Sequence, residues 1–558
     1  MFKTAKQFAG YAFFLSVLIF IFSLFFTSCS DQKVSVSSQR NYLTPETLCG
    51  TVRFSDGCSP KLDTLISFGI ALIHHMTYED AEYTFSKVIE TDADCFWGYW
   101  GKAMTYVHPL WPDIPDEKTL NDGYVLSQKA LNLAKTEKEK LYGSAIAAYF
   151  DGGVNRTEPE RLISFDNGWR TAAKELPEDV EAGLFSVLGM LSTISPGDKT
   201  YKVQRQAGAF CEKIMIKMPD HPGAFHYAIH AYDVPPLALN ALRVARNYYK
   251  IAPEIPHALH MPTHIFTRLG YWDESIDLNS KSAAAARKIP VNGQISGQYF
   301  HALDYLVYAF LQKSEYKKAK DVELIIDTLG GTFEPSPVTA YAIAGIPGRI
   351  ALEFQNWEEA ENLSLVSYSE FPWKKFPQYE ALTYFAKGIG AGRNGNTKNA
   401  LLAFQKLEEL QNNFKNSEAN RYWIDQIEIQ KTAVKAWQMY ANGEKEKSLE
   451  TMITAAELED RTEKNPVTPG SLLPAREMLG DLYMELNRPQ DALKQYELSL
   501  KNNPNRFNSL YGAGKSAELT GNMQKARFYY TAVIKLGKSP EVKREQIVHA
   551  AEVTGSKT

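Results

Sequence analysis

From about Leu62 to residue 536, apolar positions recur at three- and four-residue steps, broken at short intervals by Gly, Asn and Pro. That spacing places apolar side chains on one face of each of a long series of helices. No stretch alternates apolar and polar residues long enough to read as a strand. The pattern therefore predicts an all-α chain. The ends differ from the middle. Lys3 and Lys6 precede an apolar run from Tyr11 to Phe26, and Thr27-Ser28-Cys29 follow it. This is the three-part layout of a secretory signal. The alternative is a single membrane anchor, for which the run is short. From Ser30 to about Lys61 the chain is polar and weakly periodic, which predicts a spacer.

Self-similarity organises the helical part. Gly480, Tyr483, Ala492, Tyr496 and Pro504 are followed 34 residues later by Gly514, Ala526 and Tyr530. Gly69, Ala81 and Phe85 hold the same offsets near the start, and Ala241 and Pro253 hold them in the middle. This period resembles the tetratricopeptide repeat. The resemblance implies an α-solenoid superhelix of helix-turn-helix units whose concave groove takes a protein or peptide partner. It divides the chain into N-terminal repeats at 62–330, C-terminal repeats at 331–536 and a tail at 537–558. The Cys29 region in turn resembles a bacterial lipobox. That implies a signal peptide at 1–28, a lipid on Cys29, and a tether at 29–61. It also implies an outer membrane lipoprotein of a Gram-negative bacterium, facing the periplasm or the cell surface.

Composition narrows the partners. The net charge is −4, with no basic stripe, which excludes nucleic acid as the expected partner. Some 530 residues after Ser28 exceed one ordinary core, whereas a repeat array grows unit by unit. Export permits disulfides. Cys49 and Cys58 lie close in sequence and are candidates to pair, while Cys95 and Cys211 sit in helical patterns and read as buried thiols.

The histidines are the candidate chemistry. Five of eleven fall between positions 226 and 264, as His226-x3-His230 and His257-x2-His260-x3-His264. Within each set the steps of three or four point one way on a helix. The repeat resemblance implies that the first helix of each unit lines the groove through positions 2, 5, 9, 12 and 13. With Ala241 at position 20, His226, His230 and Asp233 take positions 5, 9 and 12. In the next unit His257, His260, His264 and Arg268 take 2, 5, 9 and 13, and in the one after, His301, Asp304 and Tyr308 take 2, 5 and 9. Near the start the same register puts His74, Trp97, Trp100 and His108 in the groove. The run His257-Ala-Leu-His-Met-Pro-Thr-His-Ile also resembles a subgroup of bacterial repeat proteins carrying His-x2-His-Met-Pro-x-His-Ile, which brings no reaction with it.

Imidazoles on one helical face, joined by a histidine or carboxylate from a neighbouring helix, can hold Zn, Fe, Cu or Ni. The expected ligands are His226, His230, His257, His260, His264, His301, Asp233 and Asp304. The other readings are contact with a ligand or peptide through His74, Trp97, Trp100, His108, Arg268 and Tyr308, and a structural role in which buried histidines bond one another and backbone carbonyls. Pro256 and Pro262 interrupt the helix that carries three of the histidines. No G-x-S-x-G element or P-loop occurs, and no G-x-G-x-x-G follows a predicted strand as a dinucleotide fingerprint requires. Two readings follow: a lipid-anchored scaffold that binds a partner or small ligand in its groove, or a metal-binding protein or metal-dependent enzyme.

Overall fold

The computed structural model describes residues 42–54, 58–111, 113–195, 197–365, 370–414, 421–537 and 544–556. The apolar N-terminal run and Cys29 lie outside them. Among the described residues the fold is helical from Pro60 to Thr554, with two isolated β-bridges, Val291 with Gln294 and Ile295 with Phe333. Among the described residues no helix is long and apolar enough to cross a membrane. Each helix packs chiefly on its neighbours in sequence, so the chain is the expected α-solenoid.

The repeat signature has a direct physical cause. A Cβ added at Gly480 would come within 2.7 Å of the Tyr496 ring, and one at Gly512 within 2.4 Å of the same ring. One aromatic thus fills the space between the first helices of two consecutive units, and only glycine on each lets it in. Phe85 does the same between Gly69 and Gly101.

Buried side chains form two large cores. One runs from Cys49 to Leu278 and the other from Ala283 to Ala550. They are tied by contacts far apart in sequence. Trp272 Nε1 donates to Asn505 O at 2.9 Å, and Lys199 Nζ donates to Glu463 Oε1 at 2.6 Å. Segment 461–474 leaves the helical array and runs across the concave face. Tyr305 OH donates to Thr468 O at 3.0 Å, and the Asn465 N–H donates to Tyr422 OH at 3.1 Å. Arg349 donates to Gly470 O at 3.2 Å and Ser471 O at 3.3 Å.

The N-terminal segment differs from a free spacer. Val52 and Phe54 are buried, and Thr51 N–H donates to Asp220 O at 3.0 Å, so residues 49–54 dock on the repeats. The cysteines also pair differently from the expectation. Cys58 is bonded to Cys95, 37 residues on, with Cα atoms 5.3 Å apart; Cys49 and Cys211 are buried free thiols. Cys49 is held elsewhere, because its carbonyl accepts from His75 Nε2 at 2.9 Å. Closing a 37-residue loop removes unfolded-chain entropy worth about 4 kcal/mol. Cys95→Ser is therefore expected to lower the urea-unfolding free energy by up to about that amount, and a reductant should destabilise the wild type but not the variant.

Candidate metal centre

Four helices supply six imidazoles. His226 and His230 lie on Pro222–Tyr232, His257 and His260 on Pro256–His260, His264 on Pro262–Leu269, and His301 on Gly297–Gln312. Pro222, Pro256 and Pro262 each occupy a first turn, where a missing N–H costs nothing. Met261, between the two short helices, keeps helical dihedrals (φ −53°, ψ −38°). The prolines therefore divide the run without destroying its face. They also sort its histidines. His257 joins His226 and His230, while His260 and His264 join His301. Within each set of three, ligand nitrogens lie within 4.8 Å of one another. The sets adjoin, with the His230 and His264 rings 6.3 Å apart and the His257 and His260 rings also 6.3 Å apart.

Hydrogen bonds decide which nitrogen of each ring is free. His226 Nδ1 faces the His74 carbonyl at 2.5 Å, and His264 Nδ1 faces Asp233 Oδ2 at 2.9 Å. Both oxygens only accept, so both Nδ1 atoms carry the proton. His260 Nδ1 faces Asn279 Oδ1 at 2.8 Å; Asn279 Nδ2 donates to Ser275 O, which fixes the amide's orientation, so this Nδ1 is protonated as well. In the neutral ring Nε2 then bears the lone pair. Yet His260 Nε2 and His264 Nε2 stand 3.0 Å apart, and His226 Nε2 and His230 Nε2 stand 3.1 Å apart. Burial, reinforced by the neighbouring imidazoles, pushes His226, His230, His260 and His301 well below the ordinary imidazole range and His257 down to about 3. A proton is a poor resident between His260 and His264, whereas His230 Nε2–H can still donate to His226 Nε2. His257 Nε2 and His301 Nδ1 are buried without a hydrogen-bond partner.

The two aspartates stand behind the rings, not among the ligand nitrogens. Asp233 orients His264, and it accepts from Arg268 Nε at 2.8 Å and Lys464 Nζ at 3.2 Å. Burial opposes its ionisation, but Lys464 and Arg268 outweigh that and hold its carboxyl well below the usual range. Burial also lowers the Lys464 ammonium to about 8. Asp304 is taken by Arg349, whose Nε lies 3.1 Å from Oδ1, and both side chains are fully buried. It faces the next unit and not the imidazoles.

The remaining expected groove residues are mostly interior. Trp97 and Trp100 pack edge to face with ring centroids 5.4 Å apart, among Tyr142 and Trp169; four stacked helices close over them, so they fill the core and line no groove. His74 donates from Nε2 to Glu181 Oε2 at 2.6 Å, and His221 donates to the other oxygen of Glu181 at 2.9 Å. These three could also hold an ion by distance, but both Nε2 atoms already face one carboxylate. Arg268 serves Asp233. Tyr308 is buried, with its OH accepting from Arg506 Nη1 at 3.2 Å. Glu181, His221, Asn279, Tyr305 and Lys464 escaped the sequence reading. His221 precedes its helix by one residue and falls outside the register, and Lys464 sits in a segment without periodicity.

His108 stacks on Tyr78 and its Nδ1 lies 2.6 Å from Asp113 Oδ2. Burial opposes its charge, but Asp113 prevails and holds the imidazole up to about 9. A folded pKa above the ordinary 6.5 stabilises fully below that pH and is lost as pH rises through about 9. The thermal midpoint of the wild type should thus fall more steeply between pH 7 and 9.5 than that of His108→Gln; parallel slopes in calorimetry would refute the assignment.

One cavity borders the histidines and a second lies nearby. A small one of about 20 Å³ borders both sets. A larger one of about 530 Å³ lies on the far side of Arg268 and Lys464, walled by Tyr308, Tyr341, Phe385, Tyr422 and Trp423.

No curated protein matches the chain. Among solved structures, human IFIT1 with m7Gppp-AAAA aligns over 76% of this chain and 88% of that one, at 13% identity and a TM-score of 0.36. Yeast Tom70 aligns over 88% and 95%, at 13% identity and 0.28, and the Cut9–Hcn1 assembly of the APC/C over 88% and 95%, at 11% and 0.29. Likeness of this order carries no reading of function. Residues 477–540 match the tetratricopeptide repeat family, so the Gly480/Tyr496 and Gly514/Tyr530 units that set the register belong to tetratricopeptide repeats.

Proposed function

We propose that the protein binds transition-metal ions in its interior, one at His226, His230 and His257 and one at His260, His264 and His301. The observation that carries this is the commitment of Nδ1 on His226, His260 and His264 to acceptors, which leaves the His260 and His264 Nε2 lone pairs opposed at 3.0 Å and aims that of His226 at the His230 ring. Histidines that ligate a metal are held this way by an acceptor on the other nitrogen. A third ring completes each set. Bonds of about 2.0–2.1 Å need nitrogens no more than roughly 4.2 Å apart, so the third ring closes inward on binding. Neutral imidazole donors suit Cu, Zn, Ni and Fe. The test is elemental analysis after incubation with each metal and removal of the excess. Two ions per chain are expected, one lost in His226→Ala and the other in His260→Ala. A chain that keeps no metal, with a thermal midpoint unmoved by any of the four, would overturn the reading.

The placement of the protein is a proposal too. Lys3, Lys6, the apolar run and Cys29 support export and lipid anchorage at an outer membrane. Mass spectrometry of the mature N-terminus tests it; an intact Met1 or an unmodified Cys29 would refute it.

A second reading has its own observation, the 530 Å³ cavity. Its aromatic wall, with Thr267 Oγ1 and Gln430 Oε1 buried and unpaired beside it, suits a small ligand or a peptide side chain. Trp423 reports on it. Occupancy should shift emission in the wild type and leave Trp423→Phe unchanged.

A further inference from the structure

We infer that the two ions share one small bridging anion, held in the cavity between the histidine sets, and so form a single dinuclear centre. This rests on the metal reading above and goes beyond it. The 20 Å³ cavity is bordered by His230 and His257 from one set and by His264 and His301 from the other. The rest of its wall is apolar, including Trp111, Met261 and Val467. A water-sized species needs roughly 10–15 Å³ of such space, so there is room for one small ligand and little more. Within the six rings, the buried nitrogens without a hydrogen-bond partner are His257 Nε2 and His301 Nδ1; they come one from each set, and both rings border this space.

Charge supplies the second argument. Six imidazoles bring no negative charge. Asp233 stands behind His264 and is already shared by Arg268 and Lys464. Asp304 is neutralised by Arg349. Two divalent ions would therefore place four positive charges in a buried, largely apolar setting with no counter-charge of their own, which is prohibitively costly. An anion between them supplies it, and the volume selects hydroxide or a species that presents one atom to both metals.

Copper gives the test. The purified protein is loaded with Cu(II), copper per chain is measured, and electron paramagnetic resonance is recorded on the same sample. Two coppers are expected with the resonance reduced about tenfold or more from the copper present, because ions sharing one bridging atom couple their spins. Azide should replace the bridge and add a charge-transfer band in the visible. His264→Ala should keep one copper, fully visible in resonance. Val467→Phe, which fills the cavity, should keep two coppers, regain the full signal and lose the azide band. Two coppers fully visible in the wild type, without an azide band, would overturn the bridge and leave metal binding standing. One copper per chain overturns the dinuclear centre, and no copper, with no uptake of Zn, Ni or Fe either, overturns the metal reading itself.

Discussion

Arg506→Met is expected to lower the unfolding free energy by about 3–5 kcal/mol. Arg506 is fully buried and donates to Glu353 Oε2 at 2.6 Å, to Glu477 Oε2 at 2.7 Å and to Tyr308 OH at 3.2 Å. Removing it leaves two carboxylates in the core with no cation of matching geometry. Arg544 lies near and reaches the Glu353 carbonyl at 3.1 Å, but not its carboxylate. The unpaired charges, not the lost hydrogen bonds, dominate the cost. The control follows from the same reasoning. Adding Glu353→Gln and Glu477→Gln to Arg506→Met removes the stranded charges and should recover more than half of the loss. Urea unfolding of the three proteins checks both statements. A single variant within 1 kcal/mol of wild type, or a triple variant no better than the single, would show that this network is not what ties the last repeats to the middle of the chain.

The second large effect is at Asp233. Asp233→Asn removes the carboxylate that faces Arg268, Lys464 and His264 together. Two buried cations lose their counter-charge, so a further 3–5 kcal/mol or so of stability is expected to go. The consequence for metal is selective. His264 loses the partner that fixes its tautomer, and affinity at its set should fall by about 10- to 100-fold. His226 keeps the His74 carbonyl and His257 keeps Gln298, so the other set should change little. Competition with a chelator of known affinity resolves the two sites. Equal weakening of both would mean that Asp233 acts only through the fold.

The register carried the sequence reading far, and for a mechanical reason. Repeats fix both the spacing and the direction of side chains, so positions 2, 5 and 9 of three successive units point to one place. That is why residues as distant as His226 and His301 could be grouped without coordinates. The same logic failed where contacts do not follow the period. Segment 461–474 has no helical pattern, so nothing foretold that it would cover the histidine units and turn a groove into an interior. Asp304 occupies a groove position, yet Arg349 on the next unit takes it, and a one-unit register shows direction but not competition. Trp97 and Trp100 hold the same positions yet lie in the core, because Phe54, Tyr142, Trp169 and Phe185 pack over them. The Cys58–Cys95 bond joins a non-periodic turn to a helix start, where spacing has no force.

The covering segment also sets a timescale. With Lys464, Pro466 and Thr468 tied to Asp233 and Tyr305, the segment lies against the imidazoles, and of the six rings His230 alone keeps partial exposure. Release of an ion from the buried rings is expected to be limited by lifting of this strap, a local unfolding event with its own free energy. Stripping by excess chelator should then proceed at a rate independent of chelator concentration. A centre of modest affinity could in that way hold its metal for far longer than its equilibrium constant alone implies.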